Sequence, residues 1–148
     1  MKLEEIHKDW RGTTNILKLG DKELAIITKS VDGAVRGGHW HPYDTTIIVI
    51  EGAIDYILTE NPEKPEESKV TRYDSINNPI ITTPKNIPHV AVSVGESIML
   101  ELKGPIVFDE KLKKYDIKYE IYNYPPYRKF VDMGKPMNVE EVLKILKS

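Results

Sequence analysis

Residues Gly33 to Gly52 read GAVRGGHWHPYDTTIIVIEG. His39 and His41 stand two positions apart, just ahead of the apolar run Ile47-Ile48-Val49-Ile50. A β-branched run of that kind favours a strand. In an extended chain, residues i and i+2 project from one face, so both imidazoles point the same way. Two imidazoles side by side, with a third from elsewhere, begin a metal site.

Working outward, the chain is punctuated by turn residues at short intervals. Asp9-Trp10-Arg11-Gly12 reads as an opening turn. Strands are expected at 13–19 and 23–31, closed by Gly20-Asp21 and Asp32-Gly33, then at 47–51, with Gly52 turning the chain into a strand over 53–59. Short strands follow at 69–73 and 80–83. Residues 89–94 and 97–103 alternate in polarity and are separated by a turn at Gly95-Glu96. Many short strands with close turn signals predict an all-β sandwich or barrel. Residues 109–115 read as one helical turn or as irregular chain. The aromatic, proline-interrupted stretch 119–130 is expected to lie against the barrel rather than inside the sheet. Asn138 followed by Glu141 is a helix start, and Val139, Val142, Leu143 and Leu146 form one stripe, so a short C-terminal helix is expected over 139–147.

Composition bounds the function. The 148 residues fit a single domain, with a barrel core at about 9–105 and an extension over 106–148. Net charge is −2 and no basic stretch is present, which argues against nucleic acid as a partner. Cysteine is absent, which removes thiolate chemistry and leaves nitrogen and oxygen donors for any metal. No apolar run approaches the roughly 20 residues needed to cross a bilayer, and the first residues lack the apolar core of a signal peptide. No membrane association and a cytoplasmic location are therefore expected.

The opening stretch resembles the first motif of the cupin superfamily, G-x5-H-x-H-x3-E-x6-G. Gly33, His39, His41 and Gly52 fall at every required spacing, and Thr45 stands where the glutamate belongs. Pro84-Lys85-Asn86-Ile87-Pro88-His89 resembles the second motif, P-x-G-x2-H-x3-N, with Asn86 in the glycine place and Ser93 in the asparagine place. Asparagine tolerates the left-handed turn conformation better than most residues. The resemblance covers about residues 9–105. It implies a double-stranded β-helix, a cupin jelly-roll barrel, whose lumen gathers His39, His41 and His89 around a divalent metal. Zinc, iron, manganese, nickel and copper all accept imidazole. With Thr45 in place of glutamate, a three-histidine site keeps charge +2 rather than +1, and a coordination position opens to water or substrate. The same histidines could instead be hydrogen-bonded lumen residues without metal. His7 lies outside both motifs and reads as a surface residue.

Alternation extends the reading. If His89 points inward, so do Ala91 and Ser93, while Val90, Val92, Val94 and Trp40 point outward. That apolar row needs a cover: the N-terminal strand, the aromatic tail, or a second subunit. Cupins of this size are often dimers through such a face, so a homodimer is expected. Glu101 shares a face with Met99 and Lys103. Inside the lumen it could serve as general base or outer partner of the metal, and outside it would be a solvated charge. Tyr56 and Asp55 face opposite ways, so only one can reach the cavity.

Asp9-x-Arg11-Gly12 and Arg36-Gly37-Gly38-His39-x-His41 look like fragments of the sugar-nucleotide cupins, the keto-sugar isomerases and epimerases. That branch implies acid–base work by His39 and His41, often without metal, and an anionic substrate near Arg36. The Arg-Gly-Gly run also reads as a plain bulge. The candidates are thus His39, His41 and Glu101 for catalysis, Arg36, Tyr56 and Thr45 for substrate, and His39, His41 and His89 for metal. Three functions stand open: a metal-dependent enzyme on a small molecule, a metal-free nucleotide-sugar isomerase, and a non-catalytic binder of a small ligand.

Overall fold

Along the chain the strands are β1 (Lys2–Asp9), β2 (Gly12–Leu19), β3 (Lys22–Ser30), β4 (Val35–Trp40), β5 (Thr45–Leu58), β6 (Lys69–Asp74), β7 (Ile80–Thr83), β8 (His89–Leu102), β9 (Ile106–Asp109), β10 (Lys114–Ile117) and β11 (Tyr122–Asn123). Two helices follow, α1 (Pro125–Val131) and α2 (Val139–Leu146). The computed structural model describes residues 1–117 and 119–148, with side chains for all of these except Ile106 and Val107.

Two long strands form the spine. β5 and β8 pair antiparallel from Ile47↔Glu101 to Leu58↔His89. On its other edge β8 pairs first with β4 and then with β3. On its other edge β5 pairs first with β7 and then with β6. Short strands flanking two long, bent ones curl the sheet into an all-β jelly-roll barrel. β2 and β1 continue the sheet beyond β3.

The sequence breaks at Gly52 and Gly95-Glu96 are not turns. Each lies inside a continuous strand. Register shifts between Val49 and Ala53 mark bulges that bend β5. Gly52 has φ +78°, and a Cβ there would stand 2.1 Å from the Glu96 carbonyl oxygen. Glycine at this corner lets the two long strands approach while bent.

Three other stretches take regular structure that alternation and turn residues did not specify. Lys2–Asp9 is a strand; its charged residues conceal it because it is an edge strand exposed along most of its length. Residues 109–115 belong to the β9–β10 hairpin, with Lys113 at φ +51° in the turn. Residues 125–131 form α1: Pro125 starts the helix, where its missing N–H costs nothing.

The core has two parts. Ile47, Val49, Ile54, Tyr56, Ile81, Ala91 and Met99 form a cluster inside the barrel. Val35, Ile57, Val90 and Val92 form the other side of the wall, under Tyr124, Tyr127, Phe130, Met137, Val142 and Leu146. The outward valine row is therefore covered by the chain's own tail. That removes the ground for expecting a second subunit on this face. Trp40 stacks on Tyr122, ring centroids 4.5 Å apart. The Tyr127 hydroxyl bonds the Thr59 hydroxyl inside the interface. Each such aromatic burial contributes about 2 kcal/mol from apolar area alone. α2 begins as its sequence predicts, with the Asn138 side chain accepting the Glu141 N–H at 2.9 Å.

Candidate metal centre

β4 carries the site into the lumen through a bulge. Gly37 and Gly38 have φ +95° and +88°, and the register with β8 slips between Gly37 and His39. Arg36 and His39 are three residues apart, which in a regular strand puts them on opposite faces. The extra residue restores the parity, and both side chains line one cavity. The Arg-Gly-Gly run is thus a bulge, and its consequence is to aim Arg36 and His39 together. His39 pairs directly with His89 across the β4–β8 ladder. Asn86 takes φ +65° in the turn before His89, as its place in the motif requires.

The three imidazoles converge. Their donor nitrogens lie within 4.8 Å of one another. Ring centroids are 4.8 Å apart for His39–His41 and for His39–His89, and 5.3 Å for His41–His89. The Nδ1–H of His41 donates to the Glu120 carbonyl at 2.7 Å, and the Nδ1–H of His89 donates to the Ile87 carbonyl at 3.0 Å. A carbonyl only accepts, so Nδ1 carries a proton in each ring, and the neutral ring has its lone pair on Nε2. Both Nε2 atoms are buried and have no hydrogen-bond partner among the described residues, although a Glu101 oxygen stands 3.5 Å from that of His41. Two orphaned lone pairs with fixed tautomers suit a divalent cation, because outer-shell carbonyls hold metal-binding imidazoles in this way.

Electrostatics agree. Burial, then the neighbouring His89 and His41, push the His39 pKa down to about 2. Burial pushes His89 down to about 4. Both rings are neutral donors at pH 7. Burial also works against charge on His41, but Glu101 and the Glu120 carbonyl outweigh it and raise its pKa.

A cavity of about 210 Å³ opens on His39 and His89, lined also by Arg11, Arg36, Tyr56, Met99, Glu101 and Tyr119. Glu101 thus faces the lumen, with an oxygen 3.5 Å from His41 Nε2. Tyr56 reaches the cavity and its hydroxyl bonds Thr83 at 2.7 Å, while Asp55 points the other way to Arg72. Arg36 is 9% exposed, and its Nε and terminal nitrogens donate to Ser30, Thr14 and the Lys29 carbonyl. Among the described residues no carboxylate bonds it, and burial pulls its pKa down to about 10. Arg11 is paired with Asp9 at 2.7 Å. Thr45 is buried, its Oγ1 has no hydrogen-bond partner, and it does not line the cavity. Ser93 is buried but bonds Ser97 and the Gly95 carbonyl, away from the cavity. His7 is exposed beside Asp9.

Some contributors escape sequence reasoning. Tyr119 closes one wall, its pKa raised to about 12 by burial and then by Glu101, and the Lys103 ammonium lies 4.5 Å from its ring centroid. Tyr43 stacks on His41 at 5.4 Å and accepts the Glu120 N–H at 2.8 Å. The aromatic density of 119–127 was the available signal. A backbone carbonyl such as that of Glu120 leaves no trace in sequence.

No protein-family model matches this chain, and no curated protein does. Solved structures do. The capsular polysaccharide assembling protein CapF from Staphylococcus aureus aligns over 80% of this chain and 35% of its own, with TM-score 0.58 and 16% identity. KdgF from Halomonas sp. aligns over 67% of this chain and 83% of its own, with TM-score 0.51 and 20% identity. Those matches, on a curled antiparallel barrel with three converging histidines, decide the fold. The chain is a cupin-fold protein. Hydroxypropylphosphonic acid epoxidase from S. wedmorenis also matches, over 68% of this chain and 55% of its own, with TM-score 0.54 and 12% identity. This cupin-fold chain spans about a third of CapF and about half of the epoxidase. At these identities the likeness is one of fold, and function rests on the site itself.

Proposed function

We propose that this cupin binds a divalent metal through His39, His41 and His89 and acts on a small molecule admitted to the cavity beside it. The observation that carries the reading is the pair of buried, partnerless Nε2 atoms on His41 and His89, each set by a carbonyl on Nδ1. The ion is one that accepts imidazole: zinc, iron, manganese, nickel or copper. Bound there, it supplies Lewis acidity toward an oxygen of the small molecule. The chain supplies the rest. Arg36 faces the cavity as a buried guanidinium without a carboxylate, which suits an anionic group on the ligand. Tyr56 and Tyr119 shape the wall, and Glu101 is the carboxylate that serves the site. Thr45 stands where the motif has a glutamate and brings no carboxylate.

The test is metal uptake by protein stripped with chelator. Wild-type protein takes up one equivalent of Zn²⁺ or Mn²⁺, and His39→Ala, His41→Ala and His89→Ala each lose it. Absence of saturable uptake by wild type contradicts the reading.

A second reading has its own support. Arg11 and Arg36 come from the two fragments that resemble sugar-nucleotide cupins, and both line the cavity that holds His39. Two guanidiniums on one wall suit a diphosphate. In this reading His41, beside Glu101, moves the proton next to a keto group. It predicts solvent deuterium exchange into a 4-keto nucleotide sugar, lost in His41→Asn. Turnover-free binding of a small ligand is the remaining alternative, and any turnover abolished at His89 excludes it. A homodimer in either reading is supported by the exposed Leu3 and Ile6 on the free edge strand β1. Light scattering of the purified protein tests it.

A further inference from the structure

We infer that Glu101 is the fourth protein ligand of the metal site, supplied from β8 in place of the carboxylate that position 45 lacks. The inference rests on the metal-binding reading above and deepens it.

Strand register places the two positions together. Ile47 on β5 is paired with Glu101 on β8. Thr45 lies two residues before Ile47, on the same face of β5. Thr45 and Glu101 are therefore diagonal neighbours across the ladder, about 7–8 Å apart, a span that a long side chain bridges. A carboxylate starting from position 101 can serve the volume that one from position 45 would serve. Thr45 is short and neutral, and its Oγ1 has no hydrogen-bond partner. It offers the ion no carboxylate.

Geometry gives the second argument. The Glu101 carboxylate oxygen lies 3.5 Å from His41 Nε2. Two donors bound to one ion at about 2.1 Å and a tetrahedral angle stand about 3.4 Å apart. The pair is already at ligand-to-ligand spacing. With the Nδ1–H of His41 held by the Glu120 carbonyl, Nε2 is the ring atom that faces the carboxylate. Both atoms are anchored on the sheet and aimed at one point, so a metal ion there meets a nitrogen and an oxygen donor together.

Charge gives the third. Three neutral imidazoles leave a divalent ion at +2, and Arg36 already brings an uncompensated positive charge to the same cavity. One carboxylate brings the ion to +1. Glu101 is the cavity's carboxylate among the described lining residues. It stands outside the cluster of three histidine donors, so binding draws it in by rotation of its own side chain.

The experiment compares wild type, Glu101→Gln, and the double variant Glu101→Gln with Thr45→Glu, all stripped of metal. Zn²⁺ affinity is read by chelator competition, and the visible spectrum of the Co²⁺ form reports the ligand set directly. Folding is checked by circular dichroism. The expected result is an affinity loss of at least about tenfold in Glu101→Gln, a changed Co²⁺ spectrum, and recovery of both in the double variant. Wild-type affinity and spectrum in Glu101→Gln overturn the inference while leaving the three-histidine site intact. Loss without recovery overturns the exchange of position 101 for 45. Failure of wild type itself to bind metal overturns the metal-binding reading instead. If Glu101→Gln does not fold, the Co²⁺ spectrum of Thr45→Glu alone decides: a shift to a higher-coordinate form supports a carboxylate already present, and an unchanged coordination number with a single new carboxylate contradicts it.

Discussion

The His41 ring donates its Nδ1–H to the backbone carbonyl of Glu120, 79 positions along the chain, at 2.7 Å. The segment after β10 thereby sets the tautomer of a residue on the motif strand. Tyr43 holds that carbonyl's residue in place by accepting the Glu120 N–H at 2.8 Å. Tyr43→Phe removes the hydroxyl and keeps the ring that stacks on His41. Metal affinity is expected to fall about tenfold while the circular dichroism spectrum stays unchanged. Chelator competition on the variant measures it, and an unchanged affinity would show that the segment does not tune the site.

The tail is structural as well as covering. Phe130 is 1% exposed and packs in the cluster with Val90 and Val92. Phe130→Ala is expected to cost about 3–5 kcal/mol in urea denaturation. A loss below about 1 kcal/mol would mean that the tail contributes little to holding the barrel.

The corner of β5 is sterically closed to side chains. At Gly52 a Cβ meets the Glu96 carbonyl oxygen at 2.1 Å, with φ at +78°. Gly52→Ala is expected to destabilise by about 2–3 kcal/mol, through the contact and the left-handed backbone together. Equilibrium unfolding checks this, and a neutral substitution contradicts the bulge geometry.

These cases show what the sequence could and could not express. Histidine spacing made His39, His41 and His89 legible, because motif positions and strand parity are both one-dimensional. Alternation placed Val90 and Val92 outside and left open what covers them; the tail does. The Gly52 and Gly95 breaks were misread because a bulge inside a long strand and a turn between two short ones use the same residue. Pro125 and Pro126 read as interruptions, although proline at the first turn begins a helix. The Arg36–His39 parity needed the bulge register, and the Glu120 carbonyl needed three dimensions.

Acid should weaken the fold through Asp9. Its hydrogen bonds to Arg11 hold the carboxyl well below the usual carboxylate range, against the cost of burial. A group whose pKa is depressed on folding stabilises above its unfolded pKa of about 3.9, and that stabilisation is lost as pH falls toward the folded value. The stability difference between wild type and Asp9→Asn is therefore expected to be about 1 kcal/mol at pH 6–7 and to shrink steadily below pH 4. Urea titrations across pH 2–7 measure it. A difference independent of pH would assign the effect to packing rather than charge.

The central claim is that His39, His41 and His89 form a metal site. Elemental analysis of protein purified without a tag or chelator tests it most directly. One divalent transition-metal ion per chain, absent from His89→Ala prepared in parallel, is the predicted result. Wild-type protein without metal above background, and without uptake when supplied with zinc, iron, manganese, nickel or copper, would contradict it.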